Sequence, residues 1–404
     1  METTPEMLAR EVERLHRAGR SDDAFTLALE TASRFPQSSL ALTNVGYFYI
    51  LRGEPARALE TYEAAIRANP DNAEARRGLA VAKTRCGLAA QGDSTTRVPY
   101  RGSGRPIRVL VPITLGSGNV FTDLLFDDAV FDVTKLAVEL HPLDAALPDH
   151  DVVFNAVGDA DSSRDALAKV RLLLARTRKP VLNAPDYVAN TGRVAQSMRL
   201  RGLEDVVMPK IALWSREAAR TVTTPVLLRA PGFHAGEHFL RVDDPNDLDA
   251  AIAQLPGDEI LALEFLDTRD AGGAYAKYRV MLVDGALYPL HLAISHGWKV
   301  HYFSAQMAAY PSYREREAQF LTDPRRALGE RAWTALERVA QTLFLKYGGI
   351  DFAIDASGRV VVFETNATMA VRYPPQEPMW EYRRPAVDAV LDAVREMLVR
   401  YSSI

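Results

Sequence analysis

A 34-residue spacing of glycine, alanine and proline in the first quarter of the chain constrains the fold more than any other feature. The residues that repeat at this spacing are Gly19, Gly53 and Gly87, Ala24 and Ala58, and Pro36 and Pro70. The segments between them, "DDAFTLALETASRFP" and "ARALETYEAAIRANP", both have the apolar periodicity of amphipathic helices. Glycine permits a tight turn between helices, and alanine lets their backbones approach closely. The spacing therefore predicts stacked pairs of helices.

Residues 5–88 resemble about two and a half tetratricopeptide repeats, and we predict a helical repeat domain at residues 1–90. The resemblance implies a groove that binds a protein or peptide partner. So few repeats are only marginally stable alone. We therefore expect the domain to pack on the rest of the chain, or on a second copy in a homodimer.

The bulk composition excludes several classes of protein. Of 404 residues, 48% are hydrophobic and 25% are charged, and the net charge of -4 gives no reason to expect a nucleic acid or membrane partner. The single cysteine, Cys86, excludes an intrachain disulfide and fits a reducing, cytoplasmic setting. The N-terminal segment has no apolar signal-peptide core, and no run of 18 apolar residues occurs. We expect a cytoplasmic globular protein.

The pattern changes after the repeats. Residues 91–105 are rich in Gly, Ser, Thr, Pro and Arg and predict a linker. The apolar runs "IRVLVPI", "DVVFNAV" and "PVLNAP" then alternate with the helical segment "SRDALAKVRLLLARTR". This order indicates a small parallel α/β domain at residues 106–188. Its loop "LGSGN" lacks the third glycine of a dinucleotide fingerprint, and we interpret it as a turn.

Residues 189–404 mix antiparallel hairpins with helices, which predicts an α+β region with two lobes, about 189–260 and 261–404. In "LLRAPGFHAGEHF" an apolar strand ends at Arg229, and Gly232 and Gly236 flank a turn into the next strand. Such a loop can fold over polyphosphate, with its backbone N–H groups facing the anion and the arginine neutralising charge. A plain hairpin is the alternative.

The hairpin "YGGIDFAIDASGRVVVFETNATM" at residues 347–369 contains the run at residues 360–363, which predicts a strand buried on both faces, and Glu364 follows it directly. Glu364 and Asn366 are two residues apart on a strand and so point to the same face, and Asp351 lies on the preceding strand. Mg²⁺ prefers oxygen ligands of this kind, usually together with substrate phosphates. The alternative is that Asp351 caps a turn and Glu364 pairs with an arginine.

The 13-residue spacing from Asp351 to Glu364-x-Asn366, behind a glycine loop and an "EFL" strand, resembles the ATP-grasp superfamily. The similarity is to the branch of glutathione synthetase, RimK-type ligases and D-alanine–D-alanine ligase, and it covers about residues 106–400. It implies an all-α repeat followed by a small α/β pre-ATP-grasp domain and an α+β ATP-grasp fold. It also implies that ATP and Mg²⁺, with Mn²⁺ as an alternative, bind between two lobes, the ion on Asp351, Glu364 and Asn366.

The resemblance implies roles for further residues. The implied nucleotide-binding positions are Arg193 and Arg229, where the family has lysines, the glycines Gly232 and Gly236, and the hinge Glu264, Phe265 and Leu266, whose backbone would face adenine. Arg279 matches the arginine of the family's D-x-R element, near the phosphates and the acyl group. Lys299 is the candidate for the basic residue that contacts the reacting carboxyl phosphate. Arg372 is a candidate for holding a substrate carboxylate, with a surface role as the alternative.

Five histidines lie close to these positions in the sequence: His234, His238, His291, His296 and His301. No acid or cysteine completes a zinc site at ligand spacing, so we interpret them as surface or phosphate-adjacent residues.

Together these features predict an ATP-dependent ligase that joins a carboxylate to an amine or another nucleophile. In the family, the γ-phosphoryl group passes to the carboxylate and the nucleophile attacks the acyl phosphate. Fusion to a repeat groove suggests a substrate tethered to a peptide or a carrier protein, a free small molecule being the alternative. A kinase on a related fold and a nucleotide-binding scaffold with weak turnover are the two other hypotheses.

Overall fold

The computed structural model describes residues 4–17, 20–86, 94–233, 236–302 and 305–404. The chain divides into two compact units. One comprises Met1–Thr96, Thr114–Gly116 and Leu136–Ala145, and the other comprises the remaining residues. Within the described residues, no helix is both long and apolar enough to cross a lipid bilayer.

The described residues of the first unit include five helices. They are α1 (Pro5–Arg17), α2 (Ser21–Arg34), α3 (Ser39–Leu51), α4 (Pro55–Ala68) and α5 (Ala73–Arg85). Their lengths and order are those of the predicted helical pairs. Two of the three turn glycines in the 34-residue pattern, Gly19 and Gly87, lie outside the described residues.

Close helix packing explains the small residues of the repeat. The ring of Tyr62 on α4 fills the space in front of Gly46 on α3 and Gly78 on α5, so a side chain at either glycine would collide with it. Tyr62 is itself buried. Gly53, between α3 and α4, has a φ of +73°, which glycine adopts without strain. The spacing between these helices is therefore set by the Tyr62 ring, which packs where Gly46 and Gly78 have no side chain.

The next elements form a five-stranded sheet with helices. They are β1 (Thr95–Val98), β2 (Ile107–Ile113), β3 (Phe131–Ala137), β4 (Val152–Phe154), α6 (Arg164–Leu174), β5 (Val181–Leu182) and α7 (Pro185–Ala189). The strand order is β1-β3-β2-β4-β5, and β2, β4 and β5 are parallel, as predicted.

Two elements of this sheet differ from the sequence prediction. Strand β1 lies within the predicted linker, because "TTRV" is rich in β-branched residues and joins the sheet edge beside β3. Strand β3, "FDVTKLA", was not predicted, because Asp132 and two other polar residues interrupt its apolar pattern. Asp132 is nevertheless buried and accepts hydrogen bonds from Arg97 of β1.

The C-terminal region contains two further sheets. Its first elements are α8 (Arg193–Leu200), β6 (Val206–Val207), β7 (Ile211–Ser215), α9 (Arg216–Ala219), β8 (Val226–Arg229), β9 (Phe239–Val242), α10 (Leu248–Ala253) and β10 (Glu259–Glu264). Strands β7, β10, β8 and β9 form an antiparallel sheet in that order. The predicted lobe boundary at residue 260 therefore falls inside this sheet, because β10 pairs with both β7 and β8.

The last sheet carries the predicted metal-binding hairpin. Its elements are β11 (Tyr275–Val283), β12 (Ala286–Ser295), α11 (Pro311–Thr322), α12 (Pro324–Leu328), α13 (Glu330–Leu343), β13 (Tyr347–Ile354), β14 (Val360–Asn366) and α14 (Arg384–Ser402). The strand order is β12-β11-β13-β14-β6, in which β6 runs parallel to β14. Strand β13 is buried on both faces, and in β14 the predicted buried run is buried at Val360, Val361 and Val362 but only half-buried at Phe363. The order of helical repeats, α/β sheet and mixed α+β region confirms the predicted fold class.

Candidate functional site

Four residues on neighbouring strands form a row across one face of the last sheet. Arg279 of β11 is paired with His291 of β12 on one side and with Asp351 of β13 on the other, and Asp351 is paired with Glu364 of β14. Directly paired residues point to the same face, with Cβ atoms about 4.5–5.5 Å apart. Two carboxylates therefore lie side by side in this cross-strand row, an arrangement that needs positive charge beside it.

Asp351 is held by two cations of β11. Arg279 donates from Nε to Oδ1 at 2.6 Å and from Nη2 to Oδ2 at 2.8 Å, and Lys277 Nζ donates to Oδ2 at 3.0 Å. Asp351 is 2% exposed. Burial alone would raise its pKa, but the charges of Arg279 and Lys277 outweigh burial and hold the pKa far below its usual range. Asp351 is therefore ionised, and its ion pairs raise the pKa of Arg279 despite the burial of that guanidinium.

Glu364 contacts a different cation, at the start of α8. Arg193 Nη2 and Asn366 Nδ2 each donate to Glu364 Oε1 at 2.9 Å. Asn366 Oδ1 accepts hydrogen bonds from the backbone N of Thr368 at 2.9 Å and from its hydroxyl at 3.0 Å. The backbone N of Arg193 donates to Asp161 Oδ2 at 3.1 Å, which fixes the first turn of α8. The helix start thus presents a guanidinium to the cross-strand row.

The glycine loop after β8 carries a buried cation. Arg229 is 7% exposed, and it donates to the backbone O of Phe233 and lies 5.4 Å from the ring centre of Phe239. Among the described residues, no carboxylate lies within ion-pair distance of it. Burial, together with the charge of Arg193, lowers the pKa of Arg229 to about 10. A buried cation without an adjacent carboxylate is an arrangement that suits an anionic ligand.

Lys299 lies against the same loop. A Cβ at Gly236 would approach Lys299 Cε to 2.5 Å, and Gly236 has a φ of +79°. Lys299 Nζ donates to the backbone O of Phe239 at 3.4 Å, and the ring of the adjacent Trp298 lies 5.2 Å from the Phe239 ring. Burial and the charge of Arg229 lower the pKa of Lys299. Gly232, with a φ of +80°, has open space in front of it.

The predicted adenine hinge lies at the end of β10. Glu264 is paired with Val226 at the start of β8, and Arg229 at the end of β8 is paired with Leu261. Three residues of strand separate the two positions, which is about 10 Å. Glu264 exchanges hydrogen bonds with the backbone of Lys210 at 2.9 and 3.1 Å. The next two hinge residues are half-buried, and the guanidinium of Arg241 lies 3.8 Å above the ring of Phe265.

Arg372 lies in a different environment, beyond the end of β14. It is exposed, and its guanidinium lies 4.5 Å above the ring of Phe121, which follows β2. The intervening loops pack tightly, because a Cβ at Gly158 would lie 2.8 Å from Thr368 Cγ2 and 3.1 Å from Val120 Cγ2. The neighbours of Arg372 thus differ from those of the cations that contact Asp351 and Glu364.

His291 of β12 is the last residue of the cross-strand row on one side, and it is buried. It is 5% exposed, and neither ring nitrogen has a hydrogen-bond partner among the described residues. Its ring lies 4.7 Å from that of Tyr302. Burial and the charge of Arg279 lower its pKa well below the usual value, so the ring is neutral. His234 lies outside the described residues, and the described part of the chain contains no cluster of three or more His, Cys, Asp or Glu side chains suited to a metal ion.

The structure brings together five of the thirteen predicted site residues and adds one cation, Lys277. Arg279 contacts Asp351, and Arg193 and Asn366 contact Glu364, which is paired with Asp351. Arg229 and Lys299 instead both lie against Phe239, beside the glycine loop. Lys277 was not predicted. Its position two residues before Arg279 on a strand places both side chains on one face, which is a signal that the sequence contains.

Comparison with known proteins agrees with the repeat prediction. Residues 41–82 match the family model of the tetratricopeptide repeat, which confirms the repeat resemblance of the N-terminal helices. No curated protein sequence matches the chain.

Several solved structures are similar to the chain at low sequence identity. The D-Ala:D-Ser ligase VanG from Enterococcus faecalis has a TM-score of 0.47 and 14% identity, over 73% of this chain and 100% of that chain. D-alanyl-alanine synthetase A from Vibrio cholerae has a TM-score of 0.45 and 15% identity, over 73% and 99%. A RimK domain ATP-grasp protein from Sphaerobacter thermophilus has a TM-score of 0.45 and 15% identity, over 73% and 98%. Similarity at this level carries no information about substrate or activity.

Proposed function

We propose that the chain is an ATP-dependent ligase that activates a carboxylate as an acyl phosphate and joins it to an amine or another nucleophile. The observation that carries the proposal is the cross-strand row. It places two carboxylate side chains, Asp351 and Glu364, beside three cations, Arg193, Lys277 and Arg279. Phosphoryl transfer needs little covalent help from a protein and depends on positioning and on charge neutralisation. A site of this composition supplies both.

The nucleotide would lie between the hinge and the row. In this proposal the backbone at residues 264–266 faces adenine, and the loop containing Gly232 and Gly236 covers the phosphates. Arg193 and Arg229 bind phosphate oxygens, since guanidinium groups hold them through paired N–H donors. Along the paired strands β8 and β10, the positions of Glu264 and Arg229 are about 10 Å apart. This separation suits a ligand that extends from a base to its phosphates.

The donor set of Asp351, Glu364 and Asn366 fits a divalent cation such as Mg²⁺ or Mn²⁺. All three supply oxygen, and the two carboxylates are paired in register, so one ion could neutralise both. In this structure these oxygens accept hydrogen bonds, and Asn366 Oδ1 accepts two from Thr368, so a bound ion would replace some of these contacts. The third donor is a carboxamide, which is consistent with the lack of a three-acid cluster among the described residues. When bound, the ion supplies positive charge at the transferring phosphoryl group.

The chain's own residues would act as follows. Arg193 and Arg229 hold the triphosphate while a substrate carboxylate oxygen attacks the γ-phosphorus and the bond to the β-phosphate oxygen breaks, which releases ADP. Arg279 and Lys299 neutralise the acyl phosphate. The nucleophile then attacks the acyl carbon, phosphate leaves, and a proton is lost from the amine. Arg372 binds a second carboxylate of the substrate or a terminal one.

Product analysis tests this function. The full chain is incubated with ATP, Mg²⁺ and panels of acids and amines, and a ligase releases ADP in step with a coupled product. Glu364→Gln should lower the rate at least 10²-fold, whereas Glu396→Gln, on an exposed part of α14, should not. A stable phosphorylated product made without an amine would identify a kinase instead. Nucleotide binding without ADP release would identify a scaffold.

We also propose that the repeats recruit a substrate tethered to a peptide or carrier protein. The support is the tetratricopeptide match at residues 41–82, together with exposed apolar side chains on α3 such as Tyr47 and Leu51. The immobilised full chain should retain a protein whose mass changes only when ATP is added. If free small acids are the better substrates, and Leu51→Ser has no effect on turnover, the recruitment proposal fails.

A further inference from the structure

Asp351 in the cross-strand row is contacted by two cations, although one would be enough to neutralise its charge. Arg279 alone forms two hydrogen bonds with Asp351, one to each oxygen, and neutralises it. Lys277 adds a third contact, from Nζ to Oδ2 at 3.0 Å. The two cations are two residues apart on β11 and so share a face.

The Lys277 ammonium is committed to a single acceptor. An ammonium has three N–H donors, and the only acceptor within hydrogen-bond distance among the described residues is Asp351 Oδ2. The Lys277 side chain is 16% exposed, compared with 3% for that of Asp351, so Lys277 is the less buried partner of this ion pair. It is therefore held by one contact and free to leave along its own flexible stem.

The carboxylate that Lys277 contacts belongs to one of the proposed metal ligands. Asp351 lies directly opposite Glu364, and an ion bound to both would carry its charge close to Oδ2. An ammonium and a divalent ion would repel at that distance, so the more weakly held cation leaves. Arg279 is fixed by its planar, two-point contact, whereas lysine is a single point charge on four rotatable carbons. Lys277 is thus the cation that a divalent ion would displace from Asp351.

We propose that Lys277 takes the place of the divalent cation on Asp351 in the nucleotide-free protein and moves to the phosphoryl or carboxylate oxygens of the substrates when the ion binds. This rests on the proposed function, because it assigns Lys277 to the same reaction. In the free protein, Lys277 balances the repulsion between the two paired carboxylates. In the loaded protein, it becomes a further cation at the reacting groups.

The test measures metal affinity as well as turnover. Mn²⁺ binding to the full chain is followed by electron paramagnetic resonance, first without nucleotide, the state in which the affinities are compared, and then with a non-hydrolysable ATP analogue. Lys277→Met removes the competing cation and should tighten Mn²⁺ binding roughly tenfold. Turnover should nevertheless fall roughly 10²-fold. Lys277→Arg, which would hold Asp351 at two points, should weaken Mn²⁺ binding. Lys179→Met, at an exposed position, is the matched control and should change neither value.

The opposite signs for the methionine and arginine variants distinguish this role from a structural one. A residue that only supported the fold would weaken Mn²⁺ binding in both variants, and that result would overturn the proposal. Unchanged Mn²⁺ affinity in Lys277→Met would also overturn it, while leaving the proposed function intact. If the wild-type protein binds neither the analogue nor Mn²⁺, both the role of Lys277 and the proposed ligase function are wrong.

Discussion

Replacing Asp351 by asparagine should destabilise the last sheet strongly, because it leaves two cations without their counter-charge. Asp351 is 2% exposed and accepts three charged hydrogen bonds, at 2.6, 2.8 and 3.0 Å. Asparagine keeps the shape of the side chain but removes its charge, and its amide group would face one of the cations. Removing one partner of a buried ion pair costs about 3–5 kcal/mol. The equilibrium for opening the β11–β13 pair should therefore rise by roughly 10²- to 10⁴-fold.

Hydrogen exchange measured by mass spectrometry reports this local effect in the full chain, where a single unfolding midpoint would mix two units. Peptides from Tyr347–Ile354 should lose protection in Asp351→Asn, whereas peptides from α4 should not. Asp267→Asn is the matched control, because Asp267 forms an ion pair with Arg269 at a position that is 42% exposed. That pair should contribute no more than about 1 kcal/mol.

The sign of the pH dependence follows from the lowered pKa of Asp351. A carboxyl whose pKa is lower in the folded state stabilises the fold above its unfolded pKa, near ~3.9. This stability is lost as the pH falls through the folded pKa. The wild-type hairpin should therefore retain its protection at pH 4, and the protection of Asp351→Asn should depend less on pH in acid.

Adding Arg279→Met to Asp351→Asn should restore part of the protection, because it removes a buried cation that has lost its counter-charge. Equal loss of protection in Asp351→Asn and Asp267→Asn would refute the reasoning.

Three further predictions test other parts of the molecule. The pKa of Arg229 is lowered to about 10, so its charge, and with it the affinity for ATP, should fall as the pH is raised through that value. Calorimetry from pH 8 to pH 11 should show this fall, and a constant affinity would exclude Arg229 from phosphate binding. Gly236→Ala should weaken ATP binding roughly tenfold, because its Cβ would meet Lys299, whereas Gly257→Ala, with a similar φ and open space, should not. Gly78→Leu should lower the helical signal and melting temperature of the repeats, because its side chain would collide with a buried ring; an unchanged melt would show that the interhelical spacing is adaptable.

The sequence predicts elements that depend on local pattern. The 34-residue spacing predicts the helical pairs, since turn glycines and small residues repeat with the structure they form. Glu364 and Asn366 can be assigned to one face of a strand from their spacing alone. Their approach to Asp351 follows from the short connection between β13 and β14.

Contacts between distant segments could not be predicted in the same way. Arg193 reaches Glu364 across 171 residues, and this depends on where α8 packs. The pairing of Lys277 with Asp351 depends on the register between β11 and β13, which the alternation of polar and apolar residues does not fix. Strand β1 gains its partner only from the assembled sheet, so its polar sequence read as a linker. Pairing energy is a tertiary property, and local propensity gives no measure of it.

The most direct measurement is the binding of Mg²⁺ and a non-hydrolysable ATP analogue to the full chain by isothermal titration calorimetry, for the wild type and for Glu364→Gln. If the paired carboxylates hold a metal–triphosphate complex, the wild type should bind one nucleotide per chain, and the affinity should depend on Mg²⁺. Glu364→Gln should lose most of that Mg²⁺ dependence while remaining folded. Nucleotide binding that is equally tight in both proteins, with or without Mg²⁺, would contradict the placement of the reacting phosphates at the β13–β14 hairpin.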